Sequence, residues 1–321
     1  MTTHNTNNAV SILCPGQGAQ AVGMGRDFHA ASPAARSIFD QANRVLGFDL
    51  QSICFTGPDA RLNQTDISQP AIYVAGVASF HAAVEAGHLD RDSITACAGL
   101  SLGEYTALHI GGAFDFETGL SLVAARGRLM QQAAESEPSG MVALIGADEA
   151  AAHAICQTAA ADDVLVLANF NAPGQIVLSG SRAACDRAVT AAEKAGLRAT
   201  SLTVAGAFHS PLMQSAADAM RRHLDAVPIQ TSTIPVWSNV TAQPHTTPDA
   251  TRDLLVQQIV QPVRWSQTMS DLIRAAGGAG RFVELTPGRT LAGLARRIDR
   301  RAAVESIAAP AAETKPAGVS S

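Results

Sequence analysis

The chain has 321 residues, 47% of them hydrophobic, enough to bury one large core with a smaller satellite lobe. A formal net charge of -5 supplies no global basic field, which excludes a protein that holds nucleic acid or an anionic membrane by bulk charge. Five cysteines (Cys14, Cys54, Cys97, Cys156, Cys185), odd in number and never spaced C-x-x-C, argue against a disulfide framework and a zinc site and fit a reducing cytoplasm.

The opening residues, MTTHNTNN, lack the basic-then-apolar order of a secretory signal. No run of about 18 apolar residues is unbroken, so neither export nor membrane insertion is expected. Residues 1–8 and 308–321 read as disordered tails, the second because Ala, Pro and Ser replace any apolar period after Ile307. Val10–Cys14 is a short apolar strand running into Pro15-Gly16, and Ala34–Leu46 reads as helix. Ser93–Ala98 is a second strand ending at Gly99. Leu102–Ile110 is the following helix, stopped by Gly111-Gly112, and a long helix starts at Asp115.

Between 139 and 204 the rhythm changes. Strand Met141–Gly146, helix Asp148–Ala159, strands Val164–Asn169 and Gln175–Ser179, helix Arg182–Ala195 and strand Arg198–Thr203 give the order β-α-β-β-α-β of a ferredoxin-like lobe. The α/β alternation then resumes with Pro235–Ser238, a helix near Leu254–Ile259 and strand Arg281–Leu285. The fold class is therefore α/β, with a core formed by 9–138 and 205–307 and a lobe of 139–204 inserted into it.

Gly99-Leu100-Ser101-Leu102-Gly103 matches G-x-S-x-G at a strand-to-helix junction. Such a turn holds a serine hydroxyl out of its own strand, and the Leu102 amide at the helix start faces where an oxyanion would develop. A serine that only caps its helix has the same local pattern. Arg126 lies within the apolar stripe of Leu122, Val123, Leu129 and Met130. An inward guanidinium needs an anion, either a buried Asp or Glu or the carboxylate of an acyl substrate bearing a free acid. His209 precedes Ser210 as N-cap and Pro211 as first helical residue. The positive end of that dipole disfavours imidazolium, which suits a general base, although a loop histidine without a role would look alike. Gly16-Gln17-Gly18-Ala19-Gln20-Ala21 formally matches a dinucleotide fingerprint. The acidic residue due about 20 positions on falls in a helix instead, and a backbone turn facing the Ser101 pocket is the better reading.

Ordered blocks then identify a family: PGQGAQ (15–20), LNQTDISQPAIYVAG (62–76), GLSLGEYTAL (99–108), ARGRLMQ (125–131), ANFNAPGQIVLSG (168–180), GAFHSPLM (206–213), SNVTA (238–242), QIVQPVRW (258–265) and TPGRTLAGL (286–294). From about Val10 to Ile307 the chain resembles the malonyl-CoA:acyl carrier protein transacylases, acyltransferases of fatty-acid and polyketide synthesis. The resemblance implies a hydrolase-like parallel-sheet core under the ferredoxin-like lobe, and no metal or prosthetic group. It implies a cytoplasmic enzyme, expected to be a monomer, that moves malonyl from malonyl-CoA to the thiol of an acidic acyl carrier protein through Ser101. His209 would be the base, oriented by the Gln258 backbone carbonyl. Gln17 and Leu102 would give the oxyanion-hole amides, Arg126 would hold the malonyl carboxylate, and Phe208 and Asn169 would bind substrate.

Leu100, Cys14 and Thr286 depart from the family pattern, which often has histidine, phenylalanine and glycine there. Two basic groups could meet the carrier: Arg296, Arg297, Arg300 and Arg301 on the last helix, and Arg182, Arg187, Lys194 and Arg198 on the lobe. A serine esterase or acyl-CoA hydrolase, and a non-catalytic carrier-binding module, are the other classes that share these features.

Overall fold

The computed structural model describes residues 9–277 and 280–307, so both expected tails lie outside the described residues. β1 (Val10–Cys14) leads into four short helices, α1 (Arg26–Ala31), α2 (Pro33–Leu46), α3 (Leu50–Thr56) and α4 (Asp59–Leu62), and then the long α5 (Thr65–Glu85). β2 (Ile94–Gly99), α6 (Gly103–Ile110) and α7 (Phe116–Ser136) complete the first part of the core. The lobe follows as β3 (Ser139–Ile145), α8 (Glu149–Ala160), β4 (Leu165–Ala172), β5 (Gln175–Ser181), α9 (Arg182–Lys194) and β6 (Arg198–Ser201). A 3-10 turn at Pro211–Met213 and α10 (Gln214–Asp225) return to the core. The chain then runs through β7 (Val236–Trp237), α11 (Pro248–Val260), α12 (Trp265–Ala275), β8 (Arg281–Glu284), α13 (Thr290–Ile298) and β9 (Val304–Ser306).

The core sheet is parallel throughout, in the order β7-β2-β1-β8-β9. All five β1 residues are buried, as expected for a strand covered on both faces. Cys14 pairs with Gly99, so β1 and β2 end level and their following loops emerge side by side at the carboxyl edge of the sheet. Open α/β sheets bind ligands at that edge. The lobe sheet is antiparallel, in the order β4-β5-β3-β6, and has its own core built on Val142, Leu144, Ile155, Leu167 and Leu178. The Phe170 amide donates to the Val263 carbonyl and the Val263 amide to that of Ala168, which ties β4 to the core segment before α12.

Helix starts follow the local chemistry. Asp115 accepts from the Thr118 amide at the head of α7, Asp148 caps α8, Ser181 caps α9, and Thr247 with Pro248 opens α11. Three expected strands are shorter than read, β8 by the single residue Leu285. β6 stops at Ser201, and β7 spans only Val236–Trp237 because the Ser238 amide turns away to the Gln243 carbonyl. α5 is apolar on nearly every side, so it carries no amphipathic stripe to read. Its length and mean hydropathy of 1.2 suit a membrane span, yet 89% of that window is buried inside the fold.

Candidate active site

The turn after β2 is steric in origin. A Cβ on Gly103 would sit 2.0 Å from the Cys14 carbonyl oxygen, and one on Gly16 would sit 2.2 Å from that of Leu100. Glycine at both positions lets the loop after β1 lie against the serine turn. Between them Ser101 adopts φ 52, a left-handed conformation that costs a residue with a side chain about 1–2 kcal/mol. Asn239 holds it there: its Oδ1 accepts from the Ser101 amide at 2.6 Å, and its Nδ2 donates to the Gly99 carbonyl at 2.7 Å. The amides of Gln17 and Leu102 flank this turn, and neither has a hydrogen-bond partner among the described residues.

His209 Nε2 lies 2.8 Å from Ser101 Oγ, and Nδ1 lies 2.7 Å from the Gln258 carbonyl oxygen. A carbonyl can only accept, so Nδ1 carries the proton and Nε2 is left to accept from the serine hydroxyl. The ring is buried, and burial, followed by the positive charge of Arg126, pushes its pKa down to about 4 against the opposing pull of the Gln258 carbonyl. Near pH 7 the imidazole is therefore neutral.

Arg126 projects from α7 into the same site and is 1% exposed. Its Nη1 donates to Gln69 Oε1 at 2.6 Å, and its Nη2 donates to Gln258 Oε1 at 2.9 Å and to Ser101 Oγ at 3.1 Å. The Tyr105 ring lies beneath it, 5.6 Å from ring centre to guanidinium carbon. Nε has no partner among the described residues. The internal ion pair that the sequence left open is not formed: every hydrogen-bonding partner of this guanidinium is neutral. A guanidinium stays charged even when buried, so the site holds a positive charge beside the nucleophile without a bonded anion.

Four neighbours went unread in the sequence: Gln69, Glu104, Asn239 and His245. Glu104, in the first turn of α6, is fully buried, accepting from the Gln258 side chain at 2.6 Å, the Asn239 amide at 2.9 Å and His245 Nε2 at 2.8 Å. A carboxylate one turn past the nucleophile in a helix of apolar residues was a usable signal. Gln69 offered none, because α5 has no polar face against which an inward glutamine would stand out. Cys14 and Cys97 lie under the turn, and burial raises both thiols, Cys97 to about 12, so neither competes with Ser101 as a nucleophile.

A cleft of about 630 Å³ opens onto Ser101 and His209, with Gln17 and Leu100 on the core side and Asn169 and Phe208 among its other walls. All eight residues singled out for the site thus come together around it: Ser101, His209, Asn169, Phe208 and Gln17 line the cleft, and Arg126, Gln258 and Leu102 lie immediately behind.

Fold and site together define the class, an α/β enzyme of acyl chemistry, transferase or hydrolase. The profile of the acyl transferase domain matches residues 12–311. The chain is 38% identical over 289 residues to the malonyl CoA-acyl carrier protein transacylase of Escherichia coli (strain K12), covering 90% of this chain and 92% of that one. The solved malonyl CoA-acyl carrier protein transacylase of Coxiella burnetii superposes with a TM-score of 0.90 at 36% identity, covering 94% of both chains. A malonyl-transacylase solved in complex with a type II PKS acyl-carrier protein superposes at 0.87 with 36% identity, covering 94% of this chain and 96% of that one. The chain belongs to the acyl transferase family and, within it, to the malonyl CoA-acyl carrier protein transacylases.

The depressed pKa of His209 gives a pH signature. If His209 is the base expected from the sequence it works when neutral, so kcat/KM for ester formation should hold as pH falls through 6 and drop with a midpoint at about 4, measured where circular dichroism shows the fold intact. Arg126→Ala removes the second cause of the depression, so the midpoint, followed with acetyl-CoA, should move up toward the ordinary value of 6.5. A wild-type midpoint already near 6.5 would contradict the assignment.

Proposed function

We propose that this protein transfers a malonyl group from malonyl-CoA to the phosphopantetheine thiol of an acyl carrier protein, supplying extender units for fatty-acid or polyketide synthesis. Ser101 Oγ attacks the thioester carbonyl while its proton passes to His209 Nε2. The oxyanion that develops is met by the Gln17 and Leu102 amides. The carbon–sulfur bond then breaks, and the proton on His209 goes to the departing CoA sulfur. The carrier thiol returns the sequence: it gives its proton to His209, attacks the ester, and Ser101 leaves with that proton restored.

The observation that carries this reading is the Arg126 guanidinium 3.1 Å from Ser101 Oγ with only neutral hydrogen-bonding partners. An acyl group ending in a carboxylate would give Arg126 a directly bonded anion, whereas a plain ester leaves it only the indirect field of Glu104 beyond Gln258. Phe208 and Asn169, on the cleft walls, would shape the acyl pocket. The names of the relatives and the carrier complex support a carrier thiol over water as acceptor. The reaction as proposed draws on no metal or prosthetic group. Five free, buried cysteines support a reducing cytoplasm as its setting. Val22 and Phe48 alone among the large apolar side chains described are exposed, which supports a monomer.

For the carrier, the arginines at the end of α13 fit best, although only Arg296 and Arg297 are on that helix, which stops at Ile298 before Arg300 and Arg301. Arg296, Arg297 and Arg300 are exposed and form no ion pair among the described residues, while only Arg301 is held, by Asp299. The segment entering α13 also abuts the loop that carries Gln17: a Cβ on Gly288 would lie 3.6 Å from that of Ala19. On the lobe, Arg182 is spent on the Ser139 carbonyl and Arg187 on Asp163 and two helix-end carbonyls.

Arg126→Ala should lower kcat/KM for malonyl-CoA by about a hundredfold or more while acetyl transfer is kept or gained, read by mass of the acyl-enzyme. Equal losses on both substrates would sink the carboxylate assignment. Charge reversal of Arg296, Arg297 and Arg300 to Glu should slow delivery to carrier protein and leave acylation by malonyl-CoA unchanged. Unchanged delivery would send the carrier to the lobe.

A further inference from the structure

Gln258 is the junction of the site. Its backbone carbonyl holds His209, its Oε1 accepts from Arg126, and its Nε2 donates to the Ser101 carbonyl at 2.9 Å. The side-chain amide thus meets Arg126 and the Ser101 carbonyl; its shortest contact, from Nε2 to Glu104 Oε2 at 2.6 Å, is to a carboxylate and fixes its rotation, with Asn239 Oδ1 3.4 Å from the same nitrogen. The same carboxylate oxygen accepts from the amide of Asn239, whose side chain brackets the strained serine turn. Both supports of the reacting groups therefore hang on Glu104.

Glu104 is in turn fixed from behind. Oε2 takes two donors, and the other oxygen, Oε1, takes one, His245 Nε2 at 2.8 Å. His245 follows the turn after β7, its amide donating to the Val236 carbonyl, and its side chain is 2% exposed. It touches neither the cleft nor the reacting atoms. Without it Oε1 would be a buried acceptor with no donor, and the carboxylate could rotate to share its remaining two, pulling Gln258 and Asn239 with it. The other ionisable groups acting on this carboxylate's surroundings are Arg126 and Tyr105.

Resting on the proposed acyl transfer, we propose that His245 is a positioning residue for that reaction: its contact with Glu104 sets Gln258 and Asn239, and through them the base, the arginine and the nucleophile turn. A shift of a fraction of an ångström at Gln258 moves three groups at once, and misplacement of this kind costs from about tenfold to a hundredfold in rate.

The test is rapid-quench acylation of the full chain by malonyl-CoA across pH, with wild type, His245→Leu and His245→Gln. Glutamine carries an N–H at nearly the position of Nε2, and leucine carries none. Leucine should slow ester formation about tenfold or more, with KM changed less than the rate, and should shift the acid-side midpoint that reports His209; glutamine should restore most of the rate. Should the leucine variant fail to fold, His245→Asn, whose donor falls about one bond short, should give an intermediate loss. Overturning results are wild-type rates in the leucine or asparagine variant, or equal losses in leucine and glutamine variants with the midpoint unmoved, which is what loosened packing alone would give. Wild-type protein that forms no ester overturns the reading on which this inference rests, and the inference with it.

Discussion

A guanidinium buried beside Ser101, with neutral hydrogen-bonding partners only, is the constraint on which the rest of the site depends. Taking an arginine out of water is costly unless an anion joins it, and at Arg126 that cost is offset only in part by hydrogen bonds to Gln69, Gln258 and Ser101 and by the fields of Tyr105 and the more distant Glu104. The protein therefore keeps a place for a negative group within reach of the reacting bond. On the proposed reading that group is the substrate's carboxylate, and binding and selection would come from one interaction.

The same charge explains why the base is held by a backbone carbonyl. An aspartate against His209 would raise its pKa, and so near Arg126 it would also occupy the arginine. The Gln258 carbonyl orients the ring without either effect, and the imidazole stays neutral. The one carboxylate at the site, Glu104, is kept a residue further back, where it orders Gln258 and Asn239 instead of touching the arginine or the base. The site is thus layered: the anion proposed for the substrate would meet the arginine, behind which lie neutral amides, the Glu104 carboxylate and then His245.

Much of this was legible in the sequence wherever the chain repeats with a period or turns sharply. The β-α-β-β-α-β lobe showed in alternating short segments, the serine turn in its glycines, and the inward face of Arg126 in the spacing of Leu122, Val123 and Met130. What a residue meets was harder to read than which way it faces. From the residues alone an internal carboxylate was the commoner partner for Arg126, and only the packing of α5 against α7 supplies Gln69 in its place. Glu104 and His245 are 141 positions apart, and no local pattern links them. The carbonyl of Gln258 is backbone, which any residue there would offer, so only family resemblance could mark it. α5 was missed because a helix buried on all sides loses the period that reveals helices.

The most direct measurement of the central claim is the intact mass of the protein after mixing with malonyl-CoA, followed by peptide mapping and then by addition of carrier protein. One malonyl group should appear on Ser101, be absent from a Ser101→Ala protein, and leave the enzyme for the carrier thiol rather than for water. No adduct, or one mapped to Cys14 or Cys97, would contradict a serine ester as the path of transfer.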